Sequence, residues 1–108
     1  MTDDTAPDVT GAFGQRVARG AALLDELVPG WVTEVDLAWL KLADCSECVL
    51  GQVFDNYTFA VKLLGLEDPA SYGFDLAPEE SDDDWPDLNA AWHSLILARK
   101  AADASAQP

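Results

Sequence analysis

The stretch DCSECVLGQVFDNYTFAVKLLGL, residues 44–66, decides the predicted fold, because it carries the pattern of the main helix. Asp44 and Glu47 stand three residues apart, as in a capping box, and predict that the helix begins at Asp44. Gly65 predicts the helix end, and the pair Asp55–Asn56 predicts a kink or a break, since both are poor helix formers. The apolar residues recur every three or four positions, the spacing of one helix face: Cys45, Cys48, Val49, Val53, Tyr57, Ala60, Val61 and Leu64.

The segment upstream predicts a first helix over residues 11–28, where apolar side chains recur at helical spacing. Thr10 or Asp8 would cap its start, and the Pro29-Gly30 turn would end it. Two glycines inside this helix, Gly14 and Gly20, indicate either close packing against a neighbour or a ragged helix start. Residues 31–43 fit both helical turns and short strands. We favour helical turns, because the chain offers no second strand of comparable quality for pairing.

The C-terminal part predicts a short turn that starts at Asp68-Pro69, an acidic loop over residues 75–84 and a final helix. The helix begins at Asp84 or Trp85, and Pro86 falls in its first turn, where a missing N–H costs little. We therefore predict a mainly α fold, a compact bundle of three principal helices with short helical turns between them. A single helical domain would cover residues 10–100, between a flexible acidic tail at 1–9 and a flexible tail at 101–108.

The charge balance restricts the partners of this chain. Twenty acidic residues face six basic ones, so the formal net charge is −14 over 108 residues. A chain without a basic footprint is unsuited to nucleic-acid phosphates or to anionic membrane surfaces. Basic partners, in contrast, are attracted over a distance. The simplest alternative is that the acidity serves solubility.

The location follows from the apolar pattern and the first residues. No run approaches the ~20 apolar residues that span a bilayer, and MTDDTAPDVT (residues 1–10) has neither a basic nor an apolar signal-peptide region. We expect a cytoplasmic protein, where thiols stay reduced.

The C-x-x-C pair leaves three interpretations open. Cys45 and Cys48 would share one face of the first helical turn, where the helix dipole lowers a thiol pKa, yet the chain lacks the βαβ context of a redox motif. A zinc site needs four ligands, so it would require His93 and an aspartate, or two pairs pooled in a homodimer. We predict instead that both cysteines are small buried residues where helices meet, with no cofactor bound.

Binding is a better prediction than catalysis. Carboxylate pairs are abundant, but they lie in solvated loops. No spacing in the sequence places the single histidine, His93, beside a cysteine or serine nucleophile. Trp31 and Trp39 stand in the ambiguous segment, where they would either form interface anchors or pack a small core under the loop. We predict a protein-binding surface, directed at a basic protein or a second copy, that contains Trp31, Trp39, Glu79, Glu80, Asp82, Asp83 and Asp84.

An alternative for the same charges is mimicry of DNA, in which carboxylates occupy the basic cleft of a nucleic-acid-binding protein. This requires that the acidic residues share one face at the spacing of duplex phosphates. The candidates lie near residues 25–26, 34–36, 44–47, 67–68 and 79–84.

Several segments of the chain carry a resemblance: LLDELVPGW (23–31), VDLAWLKLADCSECVLGQVF (35–54), LLGL (63–66) and YGF (72–74). Together with Tyr57 and the Ala91, Trp92, Ile96 spacing, they cover about half of the chain. This pattern resembles a group of small acidic proteins of actinobacteria and of the phages that infect them. The resemblance implies such an origin, and for a phage protein an action on a host protein in the host cytoplasm. It implies no catalytic residues.

Overall fold

The computed structural model describes residues 13–44 and 46–106, and within these ranges it is mainly helical and contains no strand. The predicted architecture of three principal helices joined by short helical turns is confirmed, with a radius of gyration of 13.4 Å. The α-helices are α1 (Gly14–Leu27), α2 (Val49–Phe54), α3 (Tyr57–Leu64) and α4 (Trp85–Ala106), and 3-10 turns span Trp31–Glu34, Pro69–Tyr72 and Asp82–Asp84.

The predicted break at residues 55–56 separates α2 from α3. Asp55 takes a left-handed conformation, with φ of 74°, which ends α2. Asn56 then caps α3, since its side-chain oxygen accepts a hydrogen bond from the backbone N–H of Phe59 at 3.0 Å. At the other end, Gly65 adopts φ of 67°, so the helix ends where the sequence predicts.

The predicted helix start at Asp44 is wrong, because the chain folds back on itself before the helix begins. The Lys41 N–H donates to the Glu47 carbonyl at 3.1 Å, which closes a turn over these residues. Asp44 caps that turn, and its Oδ1 accepts from the backbone N–H of Ser46 at 2.8 Å. The N-cap of α2 is Cys48, whose Sγ accepts from the Gly51 N–H at 3.2 Å. The capping box occurs elsewhere, at the turn before α4.

The core is centred on Trp92 of α4, which is fully buried. Phe74 stacks on its ring at 5.5 Å, and Trp31 meets it edge to face at 6.0 Å. The indole N–H of Trp92 donates to the Gly73 carbonyl, so the polar group of this side chain is satisfied inside the core. The ring of Trp92 therefore joins α4 to the segment around Phe74 and to the 3-10 turn that begins at Trp31.

Close packing of α1 against the Pro69–Tyr72 turn explains a glycine of α1. A Cβ atom on Gly20 would overlap the carbonyl oxygen of Tyr72 and crowd the rings of Phe74 and Trp92. The expectation that glycine in this helix indicates close packing is thus confirmed at Gly20.

The helix ends differ from the sequence boundaries at both termini. Helix α1 begins at Gly14, after Phe13, and the predicted caps Thr10 and Asp8 lie outside the described residues, as does the tail at 1–9. Helix α4 continues to Ala106, so helical structure extends into the segment 101–108. In the described ranges, no helix combines the length and the apolar composition that crossing a membrane requires.

We predict that Gly20→Ala destabilises the protein by about 1–3 kcal/mol, because the added methyl group would overlap the backbone carbonyl of Tyr72. Urea unfolding followed by circular dichroism measures the change. Ala22→Ser, on the exposed side of the same helix, is the control and should stay within about 0.5 kcal/mol of the parent. Equal stability of Gly20→Ala and the parent would contradict the close approach.

Candidate functional site

The first feature of the candidate site is an exposed tryptophan on a surface loop. Trp39 is 63% exposed, the highest value among the large apolar side chains of the described residues, and it lies in the segment 36–47, which we call the Trp39 loop. Its ring is directed to solvent although the chain on both sides is fixed. This exposure fits the interface-anchor alternative for Trp39 and not a small core under the loop.

The Trp39 loop is clamped by one amide side chain of α2. Gln52 Oε1 accepts from the Asp36 N–H at 2.7 Å, and its Nε2 donates to the carbonyls of Asp36 at 3.2 Å and Glu47 at 3.0 Å. The first and last residues of the loop are thereby held together. A loop closed in this way loses little conformational entropy when a partner binds.

A second amide ties the middle of the loop to α4. Asn89 Oδ1 accepts a hydrogen bond from the Leu42 N–H at 2.9 Å. Leu40 and Leu42 are buried on either side of the exposed Lys41, so the loop also has an apolar anchor in the core. Trp39 is therefore presented by a fixed backbone.

Trp31 does not belong to this surface. Of the two alternatives for Trp31, the structure shows the small core under the loop and not the exposed anchor, since the side chain is only 1% exposed and packs on Trp92. Burial leaves its polar atom satisfied, because Nε1 donates to Oδ1 of the exposed Asp25 at 2.9 Å. Asp25 also accepts two hydrogen bonds from Arg99, at 2.9 and 3.0 Å, which together with the Trp31 bond lower the pKa of its carboxyl.

The acidic segment, residues 79–84, divides into two kinds of carboxylate. Glu80 faces inward and receives both terminal nitrogens of Arg16, at 2.7 and 3.1 Å, and Asp84 accepts from the Ser81 N–H at 3.0 Å as a cap. Glu79, Asp82 and Asp83 are exposed. Of the five acidic residues predicted to contact a partner, Glu80 and Asp84 thus form hydrogen bonds within the fold.

Arg16 connects the acidic segment to the rest of the fold. Its Nε donates to the Ala70 carbonyl at 2.7 Å and a terminal nitrogen donates to the Asp75 carbonyl at 3.0 Å, in addition to the pair with Glu80. The hydrogen bonds that Arg16 donates to the Glu80 carboxylate lower the pKa of that carboxyl below its ordinary value.

Most basic side chains of the chain form hydrogen bonds or ion pairs within the molecule, so acidic residues dominate the remaining surface charge. Arg16 and Arg99 form the two ion pairs found among the described residues. Arg19 donates to the Ser71 carbonyl at 2.6 Å and Lys100 to the Val32 carbonyl at 3.1 Å. Neither of these ion pairs involves the exposed residues Glu79, Asp82 and Asp83, although Glu79 lines one surface pocket together with Arg16 and Arg19.

The candidate metal ligands that the structure describes differ in their exposure to solvent. Cys48 is 2% exposed, as predicted for a buried small residue, whereas His93 is exposed on α4, and Cys45 lies outside the described residues. No group of three or more His, Cys, Asp or Glu suited to a metal ion occurs in residues 13–44 and 46–106.

A small cleft adjoins the Trp39 loop, and no sequence pattern predicted it. Its volume is about 170 Å³, and it opens to solvent on one side. Tyr57 donates its hydroxyl proton to Asp75 Oδ2 at 3.0 Å across this cleft. The lining residues come from five separate segments of the chain, which is why periodicity cannot find them: Leu42, Ala43, Cys48, Tyr57, Phe74, Asp75 and Trp85.

Comparisons with models of protein families, with curated proteins and with solved structures found no match.

We predict that Glu80→Gln lowers stability by about 1 kcal/mol at pH 7 and that this difference shrinks in acid. The folded-state pKa of Glu80 is depressed, so its contribution is present above the ordinary value of 4.5 and is lost as the pH falls through the lower folded pKa. Urea unfolding of both proteins at pH 7 and pH 3 measures the difference.

The matched control is Glu79→Gln, which removes an exposed neighbouring charge and should leave stability nearly unchanged at both pH values. If Glu79→Gln and Glu80→Gln behave alike, the pair with Arg16 does not stabilise the fold.

Proposed function

We propose that this protein is a non-catalytic protein-binding module that docks onto a basic protein partner through the Trp39 loop. The observation that carries the proposal is the exposure of Trp39 on a loop held by Gln52 and Asn89. A large aromatic side chain contributes more to an interface than most residues do, and a fixed loop reduces the entropy cost of binding.

The charge of the chain supports a basic partner over a second copy. Two chains that each carry a formal charge of −14 repel one another, whereas a basic protein is attracted from a distance. The exposed carboxylates Glu79, Asp82 and Asp83 precede α4, the helix to which Asn89 ties the loop. We assign to them the steering of the partner, and to Trp39 the anchoring contact.

The resemblance to actinobacterial and phage proteins directs the proposal to a protein of an actinobacterial host. Mimicry of DNA is the competing mechanism for the same acidity. Against it, two of the candidate carboxylates are paired within the chain, Asp25 with Arg99 and Glu80 with Arg16. The two mechanisms differ in how binding responds to salt.

We predict that Trp39→Ala weakens capture of the partner from an actinobacterial lysate by about 30-fold, the effect of losing a central aromatic anchor. The captured protein is identified by mass spectrometry, and its affinity for the purified parent and variant is measured by calorimetry. Phe59→Ala, which removes another aromatic that is 56% exposed, is the matched control and should leave the affinity unchanged. Equal losses in the two variants would refute the Trp39 loop as the docking surface.

We predict that the double change Asp82→Asn and Asp83→Asn slows association severalfold at low salt but leaves the dissociation rate unchanged. Steering by exposed charges acts on the encounter, and these two residues make no cap or ion pair in the described structure. Surface plasmon resonance between 50 mM and 500 mM salt measures both rates. Affinity that collapses with salt and ignores Trp39→Ala would favour DNA mimicry instead.

A further inference from the structure

We propose that the cleft beside the Trp39 loop receives a lysine side chain of the basic partner. This inference rests on the proposed function and adds a second, chemically specific contact to it. The walls of the cleft combine aromatic and aliphatic groups with one carboxylate, a lining that matches an apolar stem with a cationic end.

The walls offer apolar contact to the methylene stem. Leu42, Phe74 and Trp85 contribute apolar side chains, and Phe74 is fixed because its ring stacks on Trp92 at 5.5 Å. A cavity of about 150 Å³ accommodates benzene, which has six heavy atoms. The 170 Å³ of this cleft therefore admits the five side-chain heavy atoms of lysine.

The charge at the cleft selects a cation. Asp75 contributes a carboxylate whose Oδ2 accepts from Tyr57 and whose Oδ1 accepts from the backbone N–H of Leu76 at 2.8 Å. Both hydrogen bonds hold the carboxylate in place without neutralising it. The guanidinium of Arg16 bonds the backbone carbonyl of Asp75 and forms its ion pair with Glu80. An ammonium group in the cleft would meet a carboxylate that forms no ion pair among the described residues, and the rings of Tyr57 and Trp85.

The cleft and Trp39 are close enough to act on one partner. Leu42 and Ala43 line the cleft and also belong to the Trp39 loop, and three residues of chain span at most about 10 Å. The Asn89 bond to the Leu42 N–H fixes this part of the wall. A basic segment that covers Trp39 would thus bring a neighbouring lysine to the mouth of the cleft.

The test uses the whole protein and small probes, so it does not depend on the unidentified partner. Nα-acetyl-lysine amide and its neutral counterpart Nα-acetyl-norleucine amide are titrated at constant ionic strength to about 10 mM, because one side chain gives millimolar affinity. The assigned indole N–H signal of Trp85 reports binding by NMR, and that of Trp39 is the internal control. We expect a saturable shift at Trp85 and at least about fivefold tighter binding of the lysine probe.

Asp75→Asn keeps the size of the side chain and should reduce the lysine affinity to that of norleucine, while Asp87→Asn, an exposed change on α4, should not. Norleucine binding as tight as lysine, or no saturable shift at Trp85 in the parent protein, would overturn the proposal without any variant. If the lysine probe fails while Trp39-dependent capture of a basic partner persists, the cleft inference falls and the proposed function stands. If capture fails while the lysine probe binds, the reverse holds.

Discussion

The buried indole of Trp92 is the contact on which the rest of the structure depends. Its ring is contacted by Phe74 and Trp31, and its N–H is satisfied by the Gly73 carbonyl. Through these contacts α4 is joined to the turn that packs on α1 and to the segment that leads into the Trp39 loop. The exposed Trp39 and the cleft therefore take their positions from one aromatic cluster in the core.

The use of the arginines explains how so acidic a chain folds and remains acidic outside. Arg16 bonds Ala70, Asp75 and Glu80, and so joins α1 to three points of the long segment that precedes α4. Arg99 does the same between α4 and α1 through Asp25. Positive charge is thus placed between elements, where hydrogen bonds to it stabilise the fold, and the unmatched carboxylates remain on the surface.

Local signals in the sequence predicted the elements well, and contacts between residues farther apart than one helical turn account for what they missed. The break at Asp55–Asn56 and the end at Gly65 were predictable because each depends on the backbone preference of one or two residues. The true start of α2 was not predictable in this way. A backbone hydrogen bond between Lys41 and Glu47 closes a turn, and Asp44 caps that turn instead of a helix. The positions of Trp31 and Glu80 depend on tertiary structure, which brings Trp92 to Trp31 and Arg16 to Glu80. The cleft had no local signal, since Tyr57 and Asp75 meet only when the chain is folded.

The Gln52 clamp also bears on how the protein would withstand degradation. A solvent-exposed tryptophan in a surface loop is the kind of place where a chymotrypsin-like protease cuts, and cutting requires the chain to open into an extended strand in the enzyme cleft. One glutamine side chain holds the two ends of the loop together and opposes that opening. The same hydrogen bonds that display the aromatic ring would therefore protect the peptide bonds beside it.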